Sequence, residues 1–153
     1  MEKATETRQA YFHFLQIPTR WMDNDVYGHV NNVHYYSFFD TVIADYLIHQ
    51  GGLDMHADTV IGFAIESLCQ YQRAIAYPEV VEAGLRVARI GNSSVRYEIG
   101  IFTQGYAEPA ATGYFVHVFV DRTNGNRPTS VPEKLRNALA KITIVQSSTQ
   151  VNR

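Results

Sequence analysis

The sequence predicts an α+β fold in which one antiparallel sheet curls about one long helix. Three observations carry that expectation: residues 32–50 read as a helix apolar over more than half its girth, four long strand-like runs follow it, and a fifth precedes it. A helix with so broad an apolar arc must be wrapped rather than covered on one side, and the concave face of a single sheet does this.

Each element has its own signal. Residues 11–17, YFHFLQI, place Phe12 and Phe14 on alternate positions, the period of a half-buried strand, and Pro18 ends the run. In the helix, Tyr36, Phe39, Ile43, Tyr46 and Leu47 fall at helical spacing, and Tyr35, Phe38 and Val42 widen the arc. Gly51 and Gly52 stop it. Asp40, at the edge of the arc, is expected to be a locally paired acid. Residues 59–74, 80–90, 95–102 and 114–120 are rich in β-branched and aromatic side chains. Turn residues at Tyr77-Pro78, Gly91-Asn92 and between Gly105 and Pro109 make the connections short, as antiparallel neighbours require. These runs and the first strand give a five-stranded sheet. Ser130-Val131-Pro132-Glu133 has the spacing of a capping box, and Leu135, Ala138, Leu139 and Ile142 share one face of a short C-terminal helix. Residues 1–9 and 147–153 are expected to be flexible tails.

With 153 residues, 46% of them hydrophobic, the chain suits one domain spanning 1–153 with a single core. A formal net charge of −2 with scattered positive residues offers no basic face for nucleic acid. Cys69, the only cysteine, excludes an intrachain disulfide and fits a reducing compartment. The polar N-terminus lacks a secretory apolar region, and no apolar run approaches the roughly 18 residues of a membrane span. A cytoplasmic location follows as the expectation, with no membrane partner.

Chemistry concentrates in residues 20–36, RWMDNDVYGHVNNVHYY, where Asp23, Asp25, His29, Asn31, Asn32 and His34 crowd a connector between two apolar segments. Asp23 and Asp25 are either turn and helix caps or ligand-facing acids. His29 is a base, an orienting donor, or a histidine bonded to a backbone carbonyl. Asn31 and Asn32 are expected to cap the helix and so to set where its free amides point. His29 and His34 are five apart and no cysteine or glutamate joins them, so no metal site is expected. Cys69 reads as a small buried hydrophobe, and Ser93 and Ser94 as turn residues.

The pattern R-W-x-D-x-D-x-x-G-H-V-N-N-x-x-Y-Y, directly after a short strand and at the start of a long apolar helix, resembles the signature of the hot-dog-fold acyl-CoA thioesterases, the family like 4-hydroxybenzoyl-CoA thioesterase. A-x-x-Y-P-x-x-V-x-x-G-L-x-V from Ala74 to Val87, I-G-N-S-S from Ile90 and the V-P-E-K-L-R helix start extend the likeness along most of the chain. The resemblance implies a sheet wrapped about one helix and hydrolysis of an acyl-CoA, or a related acyl thioester, to acid and thiol. No cofactor beyond the coenzyme A of the substrate is implied. By position it assigns Asp25 as the catalytic aspartate, nucleophile or general base, with His29 beside it; Tyr27 stands where the similar plant acyl-carrier-protein thioesterases have asparagine. Tyr27, Asn32, Tyr35, Gly62, Arg89 and Ser94 fall on the substrate side of the site. Two alternatives stay open: a non-hydrolytic acyl-thioester-binding hot-dog protein, and a hot-dog dehydratase or hydratase. A single curled sheet also leaves an open edge of long apolar strand, which predicts a homodimer with a continuous sheet, or a homotetramer of two such pairs.

Overall fold

A computed structural model describes residues 6–144. Strand β1 (His13–Pro18) precedes helix α1 (Val33–His49); β2 (Val60–Tyr71), β3 (Val80–Ile90), β4 (Ser94–Thr103), β5 (Ala111–Asp121) and the two-residue β6 (Arg127–Pro128) follow, and helix α2 (Glu133–Ala140) comes last. The strands pair antiparallel in the order β1-β3-β4-β5-β2, and β6 adds to β5.

The sheet wraps α1 because alternation on its three central strands gives one continuous apolar face. Val81, Ala83, Leu85 and Val87 of β3, Val95, Tyr97, Ile99 and Ile101 of β4, and Phe115 and Phe119 of β5 are all buried. Against them α1 buries Tyr35, Phe38, Phe39, Val42, Ile43, Tyr46 and Leu47. Helix α2 closes one end through Leu135, Ala138 and Leu139, with the Tyr46 hydroxyl donating to the Ala138 carbonyl at 2.5 Å. The wrapping is incomplete on one side. Tyr36 and Asp40 of α1 are exposed, and the neighbouring edge strand β2 shows Phe63, Ile65, Leu68 and Tyr71 to solvent. A bulge between Ala64 and Glu66 interrupts the pairing of that strand with β5.

Several local expectations are corrected. Strand β2 ends at Tyr71, not at residue 74, because the amides of Gln72 and Arg73 both turn to the Ala110 carbonyl. Strand β5 begins at Ala111, three residues early, since the Ala-Thr-Gly run, though poor in strand-forming side chains, is held between β2 and β4. Pro132, not Ser130, takes the N-cap of α2, and the Ser130 hydroxyl bonds Asn92 instead of a helix amide. Asp40 makes no ion pair among the described residues. Residues 6–9, expected to be loose, are held on the sheet: Glu6 pairs with Arg86 at 3.0 Å, and the Arg8 guanidinium donates to Glu82 and to the carbonyls of Thr103 and Tyr106. Polar side chains fix that segment, which apolar patterning does not reveal. Residues 1–5 and the 147–153 tail lie outside the described residues.

One polar side chain occupies the inward face of β5. His117 lies between Phe115 and Phe119, is 7% exposed, and meets the rings of Tyr97, Phe115 and Phe119 edge-on. Burial pushes its pKa down to about 4. Two outcomes are expected. Phe39→Ala, removing a fully buried ring at the helix–sheet contact, should cost about 3–5 kcal/mol in denaturant unfolding. For His117, the unfolded chain takes up a proton near pH 6.5 and the folded chain does not until about pH 4, so stability falls as pH drops through that window. At about 1.4 kcal/mol per pH unit the loss is limited to about 3 kcal/mol, and His117→Gln should remove that slope from the stability–pH curve.

Candidate active site

The loop joining β1 to α1 holds two aspartates in different states. Asp23 is 3% exposed and ends a 3-10 turn at Trp21–Asp23. Its Oδ2 accepts the Arg20 amide at 2.8 Å, its Oδ1 accepts Arg20 Nε at 2.9 Å, and its carbonyl accepts the Asn31 amide at 2.9 Å. Burial pushes the carboxyl up, but the two Arg20 hydrogen bonds and the charges of Arg20 and His34 outweigh it and hold Asp23 below the usual carboxylate range. Asp23 caps the turn and joins the two ends of the loop.

Asp25 is half-buried and differently bonded. Its Oδ1 accepts the amides of Tyr27 (2.9 Å) and His29 (3.4 Å), its own amide donates to the His29 carbonyl at 2.8 Å, and its carbonyl accepts the Gly28 amide at 3.0 Å. That tight turn needs φ = +82° at Gly28, a conformation costly for any residue with a Cβ. No cation pairs with Asp25 and no group bonds its Oδ2 among the described residues. One oxygen is thus anchored by the backbone and the other is free.

The start of α1 differs from expectation. Asn31 caps it, its Oδ1 accepting the Val33 amide at 3.3 Å, whereas the Asn32 side chain caps nothing. The His34 and Tyr35 amides bond the carbonyls of Asn31 and Asn32. The backbone amide of Asn32 is left without a partner among the described residues, so the free donors shrink to one, backed by the positive end of the helix dipole.

A cleft of about 350 Å³ is lined by His29, Asn32, Tyr35, Tyr71, Gln72 and Arg73, and Asp25, outside that lining, adjoins it through the His29 backbone. Tyr71 donates its hydroxyl to the Asn32 carbonyl at 3.4 Å and stacks edge-on with Tyr35. Burial raises the Tyr35 phenol to about 12 and the Tyr71 phenol further, so both stay neutral donors. Arg73 is held by Thr103 Oγ1 at 2.9 Å and lies 3.6 Å from the Tyr106 ring centroid.

A second cavity, of about 240 Å³, opens at the other end of α1. Asp40, Ile43, Leu47, Ile61, Gly62 and His117 are among its walls. Burial pushes the Asp40 carboxyl up. A Cβ at Gly62 would stand 2.6 Å from His117 Nδ1, so only glycine lets the imidazole lie against β2.

The structure therefore gathers Asp25, His29, Asn32 and Tyr35 at the start of α1, with Tyr27 on the exposed side of the same loop. Gly62 belongs to the second cavity. Arg89, level with Arg96, and Ser94, level with Val118, lie at that opposite end of the sheet, remote from the Asp25 of the same chain. Sequence reasoning passed over Tyr71, Arg73 and His117. The signal for His117 was available: in FVHVFV it takes the parity of the inward phenylalanines. Cys69 is half-buried rather than buried, and burial raises its thiol pKa. Among the described residues no group of three His, Cys, Asp or Glu is placed to hold a metal ion, and no helix is long and apolar enough to cross a membrane.

Comparison with known proteins agrees with this architecture. Residues 19–139 match the model of the thioesterase-like superfamily. The crystal structure of the PA5185 protein from Pseudomonas aeruginosa strain PAO1 is 51% identical, covers 94% of this chain and 99% of its own, and superposes with a TM-score of 0.89. The PA2801 protein of Pseudomonas aeruginosa is 29% identical over 84% of this chain and 98% of its own, with a TM-score of 0.78. A thioesterase from Thermus thermophilus, complexed with coenzyme A and Zn, is 26% identical over 84% of this chain and 92% of its own, with a TM-score of 0.71. The chain belongs to the thioesterase-like superfamily and has its hot-dog fold.

Proposed function

We propose that this protein hydrolyses an acyl-CoA to the free acid and coenzyme A, with Asp25 as nucleophile or general base. One observation carries the reading: Oδ1 of Asp25 is fixed by two backbone amides while Oδ2 is free and unpaired with any cation, the state a reacting carboxylate needs. The leaving thiolate has a parent pKa of about 8.5, so its departure at neutral pH needs little help from a general acid. The Asn32 amide and the dipole of α1 supply a donor for the developing oxyanion. His29, bonded through its backbone to Asp25 on both sides, orients the carboxylate. Coenzyme A bound to the Thermus thioesterase supports coenzyme A as the carrier here.

The site is completed by a second copy of the chain. Strand β2 is an unpaired edge carrying exposed Phe63, Ile65, Leu68 and Tyr71, and another β2 is the partner that satisfies both its backbone and its apolar side chains. Antiparallel pairing of two β2 strands brings the Tyr71 end of one toward the Val60 end of the other. The cleft that Tyr71 lines then faces the Gly62 end of the other strand. The assembly is then a homodimer, or a homotetramer of two such pairs.

Two measurements test this reading. Asp25→Asn keeps the shape and removes the charge, so single-turnover hydrolysis should fall at least about a hundredfold in folded protein; a loss under about tenfold overturns the assignment. Asp23→Asn should instead lower stability by about 0.5–2 kcal/mol with a smaller change in rate. Binding of acyl-CoAs without thiol release at any chain length would leave a non-hydrolytic acyl-binding protein, and enoyl-CoA turnover without thiol release a hydratase. Sedimentation at micromolar concentration should show a dimer or larger species, and a monomer near 17.4 kDa contradicts the composite site.

A further inference from the structure

The cavity between the second half of α1 and the start of β2 has apolar walls and a polar floor. Ile43, Leu47, Leu53 and Ile61 line it, and at its base His117 projects from the inward face of β5. The hydroxyl of Tyr97, fully buried, has His117 Nδ1 as its one partner among the described residues, at 3.1 Å. A buried phenol must donate its proton, and here the imidazole is the only acceptor. Nδ1 is therefore the acceptor and the ring proton of the neutral tautomer sits on Nε2. Nε2 bonds no protein group, yet no buried side-chain nitrogen is left unsatisfied among the described residues, so Nε2 is the atom through which this 7% exposed histidine meets the cavity.

We propose that the Tyr97–His117 pair is a specificity site: it donates a hydrogen bond from Nε2 to an uncharged oxygen, hydroxyl or carbonyl, near the far end of a short acyl group. This rests on the thioesterase reading for the word acyl, and on the subunit pairing for the thioester end. Within one chain the cavity lies about ten residues, roughly 15 Å, along α1 from the start of the helix. Across the two β2 strands it adjoins the partner's cleft. Size limits the guest. A cavity of about 240 Å³ seats a short tail of a few carbons with an oxygen.

Charge limits it further. The imidazole stays neutral above about pH 4 and so offers no cation to an anionic tail. Arg122, on the same wall, already donates to the carbonyls of Met55 and His56, and the Asp40 carboxylate repels an anion. A plain alkyl tail fits the walls but leaves the Nε2 proton desolvated and unpaired, which is the source of the discrimination.

The test uses matched non-hydrolysable analogues in which methylene replaces the thioester sulfur: hexanoyl-, 6-hydroxyhexanoyl- and 5-oxohexanoyl-dethia-CoA, titrated into the full-length protein. Wild type should bind at least one oxygenated analogue about tenfold more tightly than the hexanoyl one. In His117→Phe the ratio should fall below about twofold, and in Gly62→Ala, which displaces the ring, below about threefold. In wild type labelled with ¹⁵N-histidine, the Nε2–H resonance of His117 should move with the oxygenated analogue and not with the alkyl one, a readout that needs no variant to fold. Equal binding of the three analogues by wild type, a ratio that survives His117→Phe, or an unmoved resonance overturns the proposal. Hydrolysis of the parent thioesters separates the two readings: a binding preference without thiol release removes the thioesterase and keeps the specificity site, and thiol release without a preference does the reverse.

Discussion

The packing of α1 into the concave face of the sheet is the constraint on which the rest of the molecule depends. Seven of its side chains are buried, too many for the stripe of a surface helix, so the sheet must curl until β3, β4 and β5 all reach the helix. Curling has a geometric consequence. The outermost strand on one side, β2, is carried past the helix and shows both its apolar side chains and an unpaired backbone edge, while Tyr36 and Asp40 of α1 remain open beside it. The same contact fixes where α1 begins, and hence where the loop before it must end. Site and edge are both by-products of burying one helix.

Within that loop, two carboxylates two residues apart have divided their roles. Asp23 is surrounded by Arg20, His34 and the Asn31 amide, so its charge is matched and its oxygens occupied. Ionisation there stabilises structure and offers little to a substrate. Asp25 has only backbone amides on one oxygen, an anchorage that positions the group without neutralising it by a counter-ion. A carboxylate held this way keeps one oxygen open, and the matched Asp23 ties the two ends of the loop together.

Elements were legible in the sequence wherever side-chain period decided them. The breadth of the apolar arc on 32–50 specified the wrapped helix, and alternation specified β3 and β4 closely. What failed was governed by backbone partners. The ends of β2 and β5 depend on which carbonyl receives Gln72, Arg73 and Ala110, and the cap of α2 depends on a Ser130 that finds Asn92 first. Glu6 and Arg8 are fixed by charged partners 80 and 74 residues away, and Arg8 also by a carbonyl 95 residues away, all invisible to any local pattern. The aspartate pair was legible as a pair, but the motif did not say which member would be bonded by Arg20. That distinction lies in three-dimensional burial.

His117 shows the same limit from the other side. Its parity in β5 placed it inward, but only the structure shows that Gly62 makes room for its ring and that Tyr97 occupies one nitrogen and leaves the other open. A phenylalanine there would complete the run with Phe115 and Phe119 and would not burden the fold on acidification. Retaining an imidazole costs stability at low pH and requires glycine in an edge strand, where glycine is unfavourable. Both costs fall at one cavity wall, and the cavity stands at the end of α1 away from the Asp25 of its own chain. A polar floor so placed is out of reach of that aspartate, and the two could serve one ligand only if β2 paired with another β2.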